Sequence, residues 1–183
     1  MRKQKALAAT LLAAQIAVLP LSTAAEPEAG FGAYENADWQ TRLIACDQAI
    51  YERDWYVYDR GILKAGGLNA EQAEAAYEAS RESSARMLFF SALAKYDNDA
   101  YKGKLKQVDD ANSAMYERDK DSAVKEYKRL GDFCLSKVYP ALIASSTKAA
   151  ELDKSLRNIH VPDDLMKAAK ADFMAKAMKS PTE

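Results

Sequence analysis

From Val124 to Ala141 the sequence reads VKEYKRLGDFCLSKVYPA, and its apolar or small positions Val124, Tyr127, Gly131, Cys134, Val138 and Ala141 return in steps of three and four. That spacing draws one stripe along an α-helix, and a stripe this long must be buried against other elements. Cys134 stands in the middle of it. The only other cysteine, Cys46, lies 88 positions upstream in a second segment of helical period. A bond between them would tie two distant helices together and constrain the unfolded chain by about 4 to 5 kcal/mol in the loop-entropy picture.

That bond requires an oxidising compartment, and the N-terminus is read as the route to one. Arg2, Lys3 and Lys5 precede an acid-free apolar run that ends near Pro20, and small residues follow from Ser22 to Ala25. This is the tripartite form of an export signal, so residues 1–25 are expected to be removed after Ala25 and the mature chain to be periplasmic. No cysteine follows the run to take a lipid, and a proline in so short a run argues against a retained membrane span. Processing removes three bases and no acids, which takes the formal charge from -1 to -4. The stretch from Glu26 to Lys95 carries 12 acids against 7 bases. Such a chain lacks the basic excess that binds a phosphate backbone, so nucleic acid is not expected as a partner, whereas a basic protein surface suits it.

Alanine, glutamate, lysine and leucine dominate and β-branched residues are sparse, so the mature chain is expected to be all-α. The first helix is read over residues 35–64, closed by Gly66 and Gly67. Asn69 and Gln72 form the signature of a capping box for a second helix reaching residue 95. Asp97 or Asp99 opens a third, with Tyr101, Leu105, Val108 and Met115 on one stripe. A polar turn at residues 118–121 precedes the fourth helix, which Pro140 should kink or stop near Tyr139. A short segment over residues 148–157 and a terminal helix after Pro162 complete the chain. The expected architecture is an up-down-up-down four-helix bundle with an additional C-terminal helix and one disulfide, Cys46–Cys134. It forms a single domain over residues 35–179, preceded by a flexible segment over 26–34.

On a 100° wheel the first helix has two apolar faces. One, carrying Trp39, Leu43, Cys46, Ile50 and Val57, is assigned to the core because it holds the cysteine. The other carries Ile44, Tyr51, Trp55, Tyr58 and Ile62, and passes through YERDWYVYDR (residues 51–60), a run unusually rich in aromatic and charged side chains. Against the small Ala and Ser residues of the second helix this face could simply pack. As a recognition surface it would offer rigid rings at Tyr51, Trp55, Tyr56 and Tyr58 and directed polar contacts at Asp54, Asp59 and Arg60. Tyr56, on the polar side, is the ring expected to be most exposed. The tetrapeptide YERD recurs at Tyr116 to Asp119 and is read as chance.

No reaction-bearing constellation emerges, so the chain is not expected to be an enzyme, and neither a metal nor a cofactor is expected. His160 is the only histidine and cannot complete a cage by itself. Ser122 and Lys125 fit an SxxK pattern, but the SDN and KTG elements that accompany it in penicillin-recognising enzymes are missing. Asp97-Asn98-Asp99 starts like a calcium loop and then fails at Tyr101, Lys102 and Val108. Asp109-Asp110 and Asp163-Asp164 are sequence neighbours whose side chains diverge on a helix.

The segment DSAVKEYKRLGDFCLSKVY resembles the last helix of the cytochrome c-prime bundle. Cys134 is followed by Leu135, Ser136, Lys137 and Val138, however, so the second cysteine and the haem-ligating histidine of that family's attachment motif are absent and covalent haem is excluded. A periplasmic bundle binding a small ligand, or haem held between His160 and Met87, Met115 or Met174, is the second expectation. The first rests on a likeness of class: small exported bundles with one disulfide look like bacterial immunity or inhibitor proteins. That likeness implies a binding protein that blocks a secreted toxin or hydrolase.

Overall fold

The computed structural model describes residues 30–95, 98–159 and 161–180, with only the backbone of Asn98. The expected signal peptide (residues 1–25), Asp97 and His160 lie outside the described residues. Among those described there is no strand, and the chain forms six helices joined by short turns.

Helix α1 begins at Trp39 rather than near residue 35, because Asp38 takes an extended backbone and caps it. The Asp38 carboxylate accepts from the Thr41 amide (3.2 Å) and hydroxyl (2.7 Å) and pairs with Lys104 (2.6 Å). Burial alone would raise its pKa, but these partners outweigh it and hold the group at about 2. The helix is regular over Trp39–Asp54, π-helical over Trp55–Ile62 and regular again over Leu63–Ala65. Gly66 and Gly67, at φ 60° and 71°, stop it in a conformation that a Cβ disfavours.

Helix α2 (Ala70–Ala94) starts from the expected capping box: the Gln72 amide donates to Asn69 Oδ1 and the Asn69 amide to Gln72 Oε1. Helix α3 spans Asn98–Arg118, with Tyr101 and Val108 of its stripe buried. Asp119 accepts from the Ser122 amide and hydroxyl and so caps α4 (Lys120–Phe133). This fixes Ser122 in a structural role. A π-turn over Cys134–Val138 and a regular segment over Tyr139–Ser145 continue the same rod.

Of the two outcomes expected at Pro140, a kink or a stop, the helix does not stop: its ladder is interrupted locally by that π-turn and then continues. Proline cannot donate to the carbonyl one turn back, and the ladder adapts by widening just before it, with the Tyr139 amide bonding to the Cys134 carbonyl. The extra residue in the turn also shifts the seam. Val138 is buried as expected, but beyond it Tyr139 and Leu142 face inward while Ala141 is exposed. Helix α5 (Thr147–Arg157) and helix α6 (Asp163–Met178) follow.

Helix α1 is the element that touches all of α2, α3 and α4. The disulfide joins it to α4, with a Cα–Cα separation of 5.6 Å. One turn on from Cys46, the Ala49 carbonyl stands where a Cβ on Gly131 would meet it at 3.1 Å, so glycine lets the two backbones close up beside the bond. Around this clamp Ile44, Ile50, Phe89, Phe90, Val108 and Val138 are essentially without solvent contact. Phe89 meets Tyr139 edge to face. Tyr139 donates to Asp153 (2.5 Å) and accepts from Arg157 (2.7 Å), which fixes α5 against the end of α4.

Helix α6 docks on α2 through the edge-to-face pair Tyr77 and Phe173 and the ion pair Lys170–Glu74. Its end is stapled to the α1–α2 turn by Gly67 N–H donating to the Lys179 carbonyl and Leu68 N–H to the Ala177 carbonyl. On this helix Ala177 is buried and Phe173 half-buried, while Leu165 is 58% exposed.

Within residues 30–34 of the segment read as flexible, Gly30 and Phe31 are buried, Tyr34 is half-buried, and Gly32 and Ala33 are exposed. Phe31 is buried between Trp39 and Phe133, and Glu35 accepts from the amides of Gly30 and Phe31. Phe31 is an isolated aromatic in a polar, glycine-rich run, and its role depends on neighbours distant in sequence.

Candidate binding site

The stretch YERDWYVYDR straddles the change from α- to π-helix. In a π-turn the amide bonds five residues back rather than four, as the Leu63 amide does to the Tyr58 carbonyl, so side chains beyond Trp55 lag behind a 100° wheel. Gly61 sits inside this segment, where a Cβ would lie 3.0 Å from the Tyr56 carbonyl. Absence of a side chain at that point relieves the crowding of a widened turn.

The assignment of the core face holds in the middle of the regular helix and weakens toward both ends, Trp39 being half-buried. Leu43, Cys46 and Ile50 are buried as assigned, while Val57, beyond the transition, is half-buried. Ile44 corrects the second face: it is fully buried, because α1 is central and its first turns are covered on several sides. Further along, Tyr51 is 52% exposed and Trp55 39% exposed, one turn apart. Tyr58 and Asp59 are half-buried.

Two expected site residues have other duties. Asp54, expected to offer a directed contact to a partner, also accepts from the buried Ser83 hydroxyl (2.6 Å) and from Arg53 (2.8 Å), while Arg53 also bonds Asp132 (2.7 Å). Burial raises the Asp54 carboxyl, and Ser83 and Arg53 offset part of that rise. This network joins α1, α2 and α4. Tyr56, expected to be the most exposed ring, is only partly exposed, because it lines a cleft together with Tyr116 of α3. Burial, the nearby Tyr116 hydroxyl and the neighbouring Glu52 charge push the Tyr56 hydroxyl up to about 12.

Between α1, α3 and α4 these side chains border an open cleft of about 470 Å³, a size in the range that takes small ligands or a partner's side chain. Trp55, Tyr56, Tyr116 and Tyr127 supply its rings, and Glu52, Asp109 and Glu117 its carboxylates. Arg60 is the one base in the lining. Tyr127 is held by donating to the Asn112 carbonyl (2.9 Å), and Asn112 Oδ1 accepts from Tyr34 (3.0 Å), so the floor is fixed from three directions. Glu52 is raised by burial and then by the charge of Asp109; Asp109 is itself raised by burial and by Asp110. The cleft is an aromatic, electronegative depression with Trp55 on its rim and Tyr51 one turn away.

The two YERD tetrapeptides both reach this cleft, the first through Glu52 and the second through Tyr116 and Glu117. Sequence reasoning missed the acidic wall on α3, and the recurrence was its available signal. No group of three or more histidine, cysteine or acidic side chains able to hold a metal occurs among the described residues. The methionines considered for haem stand on different helices, Met87 on α2, Met115 on α3 and Met174 on α6. No described helix is long and apolar enough to cross a membrane. Comparison of the chain with family models, with curated proteins and with solved structures found no match.

Proposed function

We propose that the chain is an exported binding protein acting by protein–protein contact, of the immunity or inhibitor type that blocks a secreted toxin or hydrolase in the periplasm. The observation that carries the binding reading is the pair Tyr51 and Trp55, two large rings left open to solvent one turn apart beside an acid-lined cleft. Exposed aromatic residues of this kind give rigid contact area at small entropic cost, and the neighbouring carboxylates favour a partner with a basic surface. The inhibitory role rests on the likeness of class given above. An up-down-up-down course of the four long helices is part of the same reading, with the disulfide holding the face that carries the rings.

Affinity capture from periplasmic extract, with wild-type chain and Trp55→Ala in parallel, tests the reading. The expected result is one protein with a basic surface, captured by the wild type and lost with Trp55→Ala while thermal unfolding stays unchanged. The wild-type chain should then suppress that protein's hydrolytic or toxic activity in a purified assay. Equal capture by Trp55→Ala removes the proposed surface. Capture without loss of the captured protein's activity removes the inhibitor role and leaves the binding role.

A further inference from the structure

The aromatic wall of the cleft already holds a cation. The Arg60 guanidinium carbon lies 5.6 Å from the ring centroid of Trp55 and 5.6 Å from that of Tyr56, within the range of cation–π attraction. Arg60 is exposed, and among the described residues it makes no ion pair. It therefore stacks on two rings without a carboxylate partner among the described residues. Glu52, Asp109 and Glu117 likewise have no ion-pair partner among the described residues. Three carboxylates without an ion-pair partner thus line the same cleft as a ring wall that a guanidinium is seen to suit.

A planar guanidinium can stack on a ring and present a fork of donors to carboxylates at the same time, which a compact ammonium cannot do. Arg60 achieves the stacking and not the pairing. We propose that the cleft is a subsite for an arginine side chain of the partner protein, and that Arg60 is its resident competitor, occupying the ring faces until the incoming arginine also engages the carboxylates. This rests on the protein-binding reading above and names the chemistry that the partner must bring. A side chain, rather than a free amine, is the committed occupant because Tyr51 stands outside the cleft, where only a ligand extending past its mouth could use it.

Titration with acetyl-Gly-Arg-Gly-amide, followed by calorimetry and by the Trp55 indole N–H resonance, tests the subsite without an identified partner. Binding is expected at millimolar peptide or below, and the same peptide with citrulline, a neutral isostere of arginine, should fail to bind. Arg60→Ala should tighten the arginine peptide by about 5-fold, since removing one ring-face cation frees an attraction of that order. Glu52→Gln combined with Glu117→Gln should weaken it by about 10-fold or more. Equal binding of the citrulline peptide, weaker binding by Arg60→Ala, or no response to millimolar arginine peptide would each overturn the proposal. Spermidine shifting the same resonance more strongly than the peptide would also overturn it, in favour of a free polyamine. If the arginine peptide fails while Trp55→Ala still abolishes partner capture, the subsite is wrong and the binding reading stands. If Trp55→Ala leaves capture unchanged, the binding reading itself is wrong.

Discussion

Between Thr41 and Ile50 helix α1 buries eight side chains, whereas from Trp55 to Ile62 the same helix buries none. The first stretch is rich in aliphatic residues and the second in aromatic ones, so the presence of large apolar side chains does not separate them. The first is enclosed by α2, α3 and α4 and fixed by the disulfide; the second runs on past that enclosure and widens into π-turns. A helix can thus devote one half to holding the fold together and leave the other half to present rings to solvent, provided the first half is anchored firmly enough.

The largest effect should come from breaking the anchor. Replacing Cys46 and Cys134 by serine is expected to lower stability in urea unfolding by about 4 kcal/mol, because the unfolded chain regains the freedom of an 88-residue loop. A loss near zero would mean that packing alone determines the enclosed half.

Next comes the contrast within the helix. Ile50→Ala should cost about 3 kcal/mol through lost burial and the cavity left behind, whereas Trp55→Ala should cost less than about 0.5 kcal/mol although it removes a larger side chain. Comparable losses at the two positions would erase the distinction between the halves.

The enclosed half also holds a carboxyl that should betray it by pH. Asp47 is only 8% exposed, and burial pushes its pKa from 3.8 to about 6, against a hydrogen bond from Gln48 and the charge of Lys95. The folded chain therefore binds this proton more tightly than the unfolded one. The resulting stabilisation is complete below pH 3.8 and is lost as pH rises through 6, a change of roughly 3 kcal/mol from this one group. Asp38, whose pKa is lowered, works in the opposite sense at the acid end. The comparison that isolates Asp47 is wild type against Asp47→Asn in urea unfolding on either side of pH 6. The variant should be more stable above that pH, with the gain shrinking below it. A pH-independent difference would place Asp47 in contact with water.

The smallest effect concerns the widened turn. Gly61→Ala should destabilise by about 1 kcal/mol or less, through the crowding of its Cβ against the Tyr56 carbonyl, and should displace the Trp55 indole resonance. An unperturbed resonance would show that the turn does not govern where Trp55 sits.

Much of the enclosed half was legible beforehand. Leu43, Cys46 and Ile50 follow helical period, Asn69 with Gln72 announces a helix start, and two cysteines in a chain read as exported leave one pairing. The outer half was legible in composition and not in geometry. YERDWYVYDR marks where a surface would lie, but a helical wheel leaves Tyr56 in solvent because nothing in these letters declares that α3 stands beside it. Asp54 has the look of a contact residue until Ser83, 29 positions away, is seen to bond it.

The sequence by itself determined the helical class, the Asn69–Gln72 capping box, the stop at Gly66 and Gly67 and the identity of the bonded cysteines, because each depends on local period, local hydrogen bonding or a count. Only the tertiary structure decided that Ile44 is sealed and Trp55 is open, and that Glu52 and Glu117 face one cleft. Those outcomes depend on which helix covers which face and on one extra residue in a turn, and both are set by packing between segments far apart in the chain.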